Sequence, residues 1–317
     1  MKEKPLVTFA LLAYNQEKYI REAIKGALSQ TYKPLEIIIS DDSSTDNTFE
    51  IIREIISEYD GLHKVIVRQN NINQGLIQHV NYITSIMKGE ILVFAAGDDI
   101  SIPNRTQKLV SKFVDNPKAL LVHSEVTEIT ENGSDIGKGS PPLGTKYEIE
   151  NVTKSTGLYI GATGAVRKVL PQYFGPITFE NTYEDQIYGF RAVLIGEIEF
   201  IKEKLVKYRV NVGISSNSLI SIKGLKERRK LIAHRIDTFM QRKLDLNKSK
   251  HLKFNYLNKI ITYEISLANA RYEFYDSKLH FAYKLVSRQF MTYFNAFYIE
   301  AKYLIKLRLN NLKHLFN

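Results

Sequence analysis

Residues 35–46 read Leu-Glu-Ile-Ile-Ile-Ser-Asp-Asp-Ser-Ser-Thr-Asp, and the fold class follows from this segment. The largely apolar run at Leu35–Ile39 is typical of a strand that is covered on both faces, as in a parallel sheet. Asp41 and Asp42 follow at the point where this strand should end. Because ligands of open α/β sheets bind beyond the carboxyl ends of the strands, the same segment marks a candidate site.

Strands and helices alternate on either side of this segment. Further apolar strands are predicted at Leu6–Ala13, Val65–Val67 and Ile91–Ala95, and apolar residues at helical spacing predict three helices between the four strands. Asn15 is a candidate cap for the first helix. Repeated strand–helix units indicate an α/β fold, with a Rossmann-like, mostly parallel sheet flanked by helices.

Strands and loops become more frequent after residue 118. A strand is predicted at Ala119–Ile129, and Gly157–Ala165 is rich in small residues. A helix is predicted at Glu184–Gly196, followed by two short strands at Ile198–Ile201 and Leu205–Val210. This arrangement would suit a wall around a substrate.

The charge of the 317-residue chain is unevenly distributed. Residues 1–217 carry 24 Lys+Arg against 27 Asp+Glu, a net charge of −3, whereas residues 218–317 carry 20 against 7, a net charge of +13. From about Ser218 the pattern is helical to the end. We therefore predict two domains, 1–217 and 218–317, that meet different partners.

The composition excludes several classes of protein and site. The absence of cysteine rules out disulfides and thiolate metal sites. No signal-peptide pattern is visible, and no apolar run approaches the roughly 18 residues of a membrane span, so a cytoplasmic protein, soluble or peripheral, is expected. The pI of about 9.4 would allow nucleic-acid binding, but no recognised nucleic-acid motif accompanies the charge.

A second acidic pair, Asp98-Asp99, follows the strand at Ile91–Ala95. Adjacent carboxylates raise each other's pKa unless a cation lies beside them, and a hard divalent cation with carboxylate, phosphate and water oxygens fits that need. Helix capping is the alternative for this pair, since Ile102-Pro103 could open a helix. It is equally the alternative for Asp42, Ser44 or Thr45. Neither acidic loop is glycine-rich, so a metal is expected to bridge any bound phosphates.

Together these segments resemble the family 2 glycosyltransferases of the GT-A fold. The resemblance runs through Val7–Asn15, Leu28–Thr48 and Asp98-Asp99, and it returns at Glu184-Asp185 and Tyr208-Arg209. It covers about the first 215 residues. It implies an inverting transfer of a sugar from a nucleoside-diphosphate sugar, such as a UDP-sugar.

The resemblance also assigns roles by position. It implies that Tyr14, Asp41 and Asp42 bind the nucleoside of the donor. Asp98 would bind Mn²⁺ or Mg²⁺ together with the donor's diphosphate. Asp99 would assist Asp98 or would cap the following helix. The metal would neutralise the diphosphate leaving group.

Asp185 is implied to be the general base that deprotonates the acceptor hydroxyl, although acidic residues also favour a helix N-terminus by electrostatics alone. Three positions depart from the family pattern. Ala96 stands where the first Asp of the Asp-x-Asp motif usually is, Val80 where an Arg often is, and Asn211 where many relatives have a His. Metal binding would therefore lean on Asp98, the donor's phosphates and water.

The basic C-terminal region has two open interpretations. Its apolar stripe comprises Phe290, Phe294, Phe297, Tyr298, Ala301 and Ile305. The stripe could pack on the catalytic domain, or it could lie on an anionic membrane surface near a lipid-linked acceptor. By analogy with relatives, we expect a role in bacterial surface polysaccharide (O-antigen or capsule) synthesis, peripheral on the inner face of the cell membrane. A non-catalytic module that binds nucleotide-sugars or polyanions is the alternative function, since fold alone does not fix activity.

Overall fold

The computed structural model describes residues 4–137, 147–212, 222–286 and 289–313. The chain divides into two compact units, Met1–Ser215 and Ser216–Asn317. Within the described ranges every strand belongs to the first unit, and the second unit is helical. The predicted α/β fold with a C-terminal helical region is confirmed.

The first unit alternates strands and helices from its start. Its elements are β1 Val7–Ala13, α1 Ile20–Leu28, β2 Leu35–Asp41, α2 Thr48–Ser57, β3 Lys64–Gln69, α3 Gly75–Ile86, β4 Ile91–Ala96, β5 Ile100–Ser101, α4 Arg105–Asp115, β6 Ala119–Ile129, α5 Ile149–Lys154, a 3₁₀ turn at Gly161–Thr163, β7 Ala165–Arg167, α6 Val169–Phe174, α7 Glu184–Ile195 and β8 Glu197–Arg209.

One mixed sheet of eight strands organises this unit, in the order β3-β2-β1-β4-β7-β6-β8-β5. The first four strands in that order are parallel, whereas β7 runs antiparallel to both of its neighbours. The inner strands are buried because helices cover both faces. Strand β1 pairs with β2 up to Ala13↔Asp41 and with β4 up to Leu12↔Ala96. The carboxyl ends of β2 and β4 therefore lie on either side of the end of β1.

The prediction of two short strands after α7 is wrong, because β8 is a single strand that pairs with β6 in parallel. Ser124 pairs with Ile201 and Glu125 with Lys204, so residues 202 and 203 form a bulge. The exposed polar residues of this bulge interrupt the apolar pattern while the backbone pairing continues.

The second unit contains four helices in its described part, α8 Ile222–Ser249, α9 Phe254–Asp276, α10 Lys278–Leu285 and α11 Phe290–Lys313. Helix α9 packs against α8, α10 and α11. Its small apolar core includes Leu267, Ala270, Phe281 and Tyr293. In the described part of the chain, no helix has the length and apolar character that a membrane crossing requires.

Candidate active site

Both acidic loops are fastened to the end of β1. The backbone N–H of Asp42 donates to the Ala13 carbonyl at 2.9 Å, and the N–H of Gly97 donates to the Leu12 carbonyl at 2.9 Å. Tyr14 follows directly and is 43% exposed. The sheet register thus brings the two predicted acidic pairs to one edge, on either side of the strand that Tyr14 follows.

Asp41 is fully buried and holds its own loop together. Its Oδ2 accepts from the Ser44 N–H at 2.8 Å and from Gln69 Nε2 at 2.9 Å, and its Oδ1 accepts from the Ser44 hydroxyl. The first turn of α2 is bound instead by Asp46, whose Oδ1 accepts from the Thr48 N–H at 3.0 Å. The alternative in which Asp42, Ser44 or Thr45 caps the next helix is therefore not the arrangement in the structure.

Asp42 caps a helix further along the chain. Its Oδ1 accepts from the Gln74 N–H at 3.0 Å and from Asn70 Nδ2 at 2.5 Å, and its Oδ2 accepts from the Gly75 N–H at 2.9 Å. These amides begin α3, whose positive end favours a carboxylate. Oδ1 already accepts two hydrogen bonds, so Oδ2 is the atom with capacity for a ligand donor.

A polar network that the sequence did not predict holds Asn70, which donates to Asp42. Arg68 donates to the Ser40 hydroxyl and to the side-chain amide oxygen Oδ1 of Asn70, and its guanidinium stacks over the Tyr82 ring. Burial lowers the pKa of His79, which bonds Ser40, to about 4. These residues come from β2, β3 and α3, so only the assembled sheet reveals the network.

The predicted cap on the first helix is also absent. Helix α1 begins after Tyr19 without a side-chain cap. Asn15 instead has a left-handed backbone, with φ of 52°, and its Oδ1 accepts from the Thr45 N–H at 2.8 Å. Asn15 therefore ties the segment after β1 to the Asp41-Asp42 loop.

The Asp98-Asp99 pair is buried, and the hydrogen bonds and positive charges near it offset the cost of that burial only in part. Burial raises the pKa of Asp98, and the nearby charge of Arg209 only partly opposes this. Burial and then the charge of Asp98 raise the pKa of Asp99 well above its usual value. Asp99 Oδ1 accepts from the Arg209 N–H at 2.9 Å. Asp99 does not cap α4, which begins only after Asn104 and the intervening β5.

Asp185 lies in the first turn of α7, half-buried. The 3₁₀ turn at Gly161–Thr163 packs directly against it, since a Cβ on Gly161 would lie 2.1 Å from Glu184 Oε1 and 3.7 Å from Asp185 Cβ. A side chain at position 161 would therefore require the Glu184 carboxylate to move.

Arg105 connects this turn to β4. Its fully buried guanidinium donates through Nη2 to the Phe94 carbonyl at 2.7 Å and to the Ala162 carbonyl at 2.6 Å. The Phe94 N–H donates to the Gly164 carbonyl at 3.0 Å. The 3₁₀ turn at Gly161–Thr163 thus lies in space between β4, which leads to Asp98, and the start of α7, which carries Asp185.

No group of three or more His, Asp or Glu side chains converges as a ready-made metal site among the described residues. Asp98 is nevertheless suited to a cation, because its buried carboxylate would be stabilised by positive charge. Ala96 supplies no second carboxylate two residues earlier. Phosphate and water oxygens would have to complete the coordination of a hard divalent cation.

Comparison with known sequences identifies the family. The family model described as Glycosyl transferase family 2 matches residues 8–173, more than half of the chain. An uncharacterized glycosyltransferase of Haemophilus influenzae is 26% identical over 306 residues, covering 89% of this chain and 91% of that protein. A UDP-Glc:alpha-D-GlcNAc-diphosphoundecaprenol beta-1,3-glucosyltransferase of Escherichia coli, WfaP, is 34% identical over 119 residues, 38% of this chain and 45% of that protein.

An uncharacterized protein of Mycobacterium bovis is 32% identical over 202 residues, 62% of this chain. The chain covers only 57% of the length of that relative.

Solved structures share the fold. S. aureus TarS in complex with UDP-GlcNAc superposes with a TM-score of 0.57 at 17% identity, covering 92% of this chain and 79% of that one. The mannosyltransferase PcManGT from Pyrobaculum calidifontis, in complex with GDP-Man and Mn²⁺, superposes with a TM-score of 0.53 at 16% identity, covering 98% of this chain and 88% of that one. The predicted GT-A type fold is confirmed, and the chain belongs to glycosyl transferase family 2.

Proposed function

We propose that this chain is an inverting glycosyltransferase that moves a sugar from a nucleoside-diphosphate sugar to a glycan or lipid-linked acceptor. The observation that carries the proposal is that two acidic loops meet at the end of β1. A third acidic residue, Asp185 on α7, lies on the other side of the 3₁₀ turn that packs against β4. TarS has been solved with UDP-GlcNAc and PcManGT with GDP-Man. A UDP-sugar is the first donor to test, and bacterial surface polysaccharide synthesis (O-antigen or capsule) is the proposed setting.

The donor would bind at the carboxyl end of β1. The exposed Tyr14 ring and the loop of Asp41 and Asp42 would bind the nucleoside, with Asp42 Oδ2 as the acceptor for a base N–H or a ribose hydroxyl. Asp98 would hold Mn²⁺ or Mg²⁺ with the diphosphate. When bound, the cation supplies charge neutralisation for the departing diphosphate. The side chain of Asp99 is bound by the backbone N–H of Arg209 in β8, and it would help to hold the neighbouring Asp98 in place.

The acceptor side belongs to Asp185. We assign its carboxylate as the base that takes the proton of the acceptor hydroxyl while the hydroxyl oxygen attacks the anomeric carbon. The bond from that carbon to the diphosphate breaks, and its electron pair leaves with the diphosphate. A correctly placed base contributes about 10²–10⁴-fold in rate.

Release of nucleoside diphosphate from a panel of donor sugars, with and without Mn²⁺, tests the proposal. Wild-type protein should release it in a metal-dependent manner, and Asp185→Asn should lose about 10²–10⁴-fold in turnover while it keeps donor affinity. Asp60→Asn, at an exposed position after α2, is the matched control. If the wild type binds nucleotide but turns over no donor with any acceptor, the non-catalytic binding module becomes the better account.

The second unit supports a further proposal, that it rests on an anionic membrane surface at the inner face of the cell membrane. Helix α11 buries Tyr293, Ala296 and Glu300 on its inner side. Beside this buried side lies an outer aromatic face that is apolar yet exposed, at Phe290, Met291, Phe294, Phe297, Tyr298 and Ile305. Exposed lysines at positions 302 and 306 flank this outer aromatic face. An aromatic face with basic residues beside it fits the interface of an anionic bilayer, where a lipid-linked acceptor would be presented.

A further inference from the structure

Arg209, at the end of β8, makes four side-chain hydrogen bonds beside the candidate donor site. It is only 1% exposed. Its Nη1 donates to the Thr130 carbonyl at 3.0 Å and to the Glu131 carbonyl at 2.5 Å, and its Nη2 donates to Glu22 Oε2 at 2.6 Å. The guanidinium also lies 4.6 Å from the centre of the Tyr19 ring. One side chain thus joins α1 to the end of β6.

The same residue holds the acidic pair by two separate contacts. Arg209 Nε donates to the backbone carbonyl of Asp98 at 3.0 Å, and its own backbone N–H donates to Asp99 Oδ1 at 2.9 Å. The guanidinium contacts the peptide of Asp98 and not its carboxylate. An arginine that served as an ion-pair partner would take the carboxylate, as Arg228 does with both oxygens of Glu300.

This geometry fixes the backbone of Asp98 without engaging its carboxylate, which accepts a hydrogen bond from the Gln16 side chain. The planar guanidinium fork has five donors in rigid directions, and four of the contacts above satisfy carbonyls or a carboxylate on three different segments. A shift of any of these segments would therefore be transmitted to the Asp98 peptide.

We propose that Arg209 is a positioning residue that aims the Asp98 carboxylate at the metal and diphosphate of the donor. The inference rests on the proposed function, because it takes Asp98 as the residue that meets the donor's metal. Arg209 touches neither substrate nor metal in this scheme. Residues that orient a metal ligand typically change metal affinity about 10–100-fold when they are substituted.

Arg167 offers a matched control in the same sheet. Its Nε donates to the Ala119 carbonyl at 2.9 Å and its Nη2 to the Phe113 carbonyl at 2.7 Å, and the guanidinium stacks over the Phe113 ring at 5.0 Å. It pairs with Ile91 at the start of β4, the end of the strand away from Asp98. Arg167→Gln therefore removes similar contacts without disturbing the acidic pair.

The test combines two readouts on Arg209→Gln, Arg209→Lys and Arg167→Gln. Calorimetry measures UDP affinity with and without Mn²⁺, and hydrogen exchange measures protection of the amides of residues 97–100. Arg209→Gln should reduce the Mn²⁺-dependent gain in UDP affinity by about 10–100-fold and speed exchange at 97–100. Arg209→Lys keeps the charge but loses the fork, so it should recover only part of the gain. Arg167→Gln should match the wild type in both.

A milder variant covers the case in which Arg209→Gln does not fold. Glu22 is half-exposed, with 53% of its side chain accessible, so Glu22→Gln should fold and show the same two changes on a smaller scale. Wild-type Mn²⁺-dependent affinity and unchanged exchange at 97–100 in a folded Arg209→Gln or in Glu22→Gln would overturn the positioning role. Failure of the proposed function would look different, because the wild type itself would then show no sugar transfer.

Discussion

The two units of the chain bury carboxylates in opposite ways. In the helical unit Glu300 is fully buried on α11, and it is surrounded by Arg228, Arg271 and the Tyr275 hydroxyl at 2.6–2.9 Å. Burial alone would raise its pKa, but the hydrogen bonds from Arg228, Tyr275 and Arg271 outweigh burial and lower it. In the sheet unit, Asp98 and Asp99 are also buried, yet their pKa values are raised.

The difference distinguishes a carboxylate with a structural role from one that is a candidate for binding a ligand. A buried ion that is fully hydrogen-bonded contributes to a unique fold, and removal of one partner leaves an uncompensated charge. A buried carboxylate with a raised pKa is instead a candidate for ligand binding. Glu300 and the acidic pair have similar exposure, so the arrangement of their neighbours, and not burial, distinguishes their roles.

Substitution of Glu300 should have the largest effect on stability. Glu300→Gln leaves the buried Arg271 and the partly buried Arg228 beside a neutral side chain, which should cost up to about 3–5 kcal/mol of unfolding free energy. Native-state hydrogen exchange of amides in α9 and α11 measures this free energy for the helical unit. Asp276→Asn is the control, since its ion pair with Arg229 is largely exposed and should contribute little to stability. Equal stability of Glu300→Gln and wild type would remove the distinction drawn between the two units.

Removal of one ring from the outer aromatic face should have the next largest effect, on membrane binding. Phe294→Ser removes an exposed phenyl group whose burial in the bilayer interface is worth up to about 1.5–3 kcal/mol, so partitioning to anionic vesicles should fall about 10–100-fold. Lys302→Gln should lower this partitioning by about fivefold, because one basic residue near an anionic surface contributes about 1 kcal/mol. Flotation on vesicles with and without phosphatidylserine measures both, with Lys108→Gln, in the sheet unit, as the control.

Flotation of Phe294→Ser at the wild-type level would remove the membrane role. If the variant instead changed a self-association equilibrium in sedimentation, the outer aromatic face would be a contact between copies of the chain.

The smallest predicted effect is a pH dependence that belongs to Glu300. Its pKa in the folded state lies below the usual glutamate value of 4.5. The stability it contributes is therefore present above about pH 4.5 and is lost as the pH falls through the folded-state pKa. The difference in unfolding free energy between wild type and Glu300→Gln should be constant from pH 7 to about pH 5 and shrink in more acidic solution. A difference that grows on acidification would contradict the lowered pKa.

The sequence predicted the elements that depend on local pattern. Strands β1, β2 and β4 follow from apolar runs that any parallel sheet requires, and the position of the acidic loops at its carboxyl edge follows from the same pattern. The caps were predicted wrongly for a physical reason. Asp42 binds the amides of Gln74 and Gly75, 32 and 33 residues further on, and such a partner is set by the packing of α3, not by spacing along the chain.

The contacts of Arg209 were inaccessible to the sequence for the same reason. Its partners lie on α1, after β4 and at the end of β6, up to 187 residues away. The orientation of α11 was left open by the sequence, because its apolar stripe could either pack inward or lie on a membrane surface. The structure exposes most of the stripe, including Phe294, Tyr298 and Ile305.

The central claim is that Asp98, without a second carboxylate at position 96, holds the metal-bound diphosphate of the donor. Calorimetry of UDP binding to wild type and Asp98→Asn, each with and without Mn²⁺, tests it most directly. We predict that Mn²⁺ strengthens UDP binding to the wild type by at least about tenfold and has no effect on the affinity of Asp98→Asn. An equal gain from Mn²⁺ in both proteins would place the metal elsewhere and contradict the account.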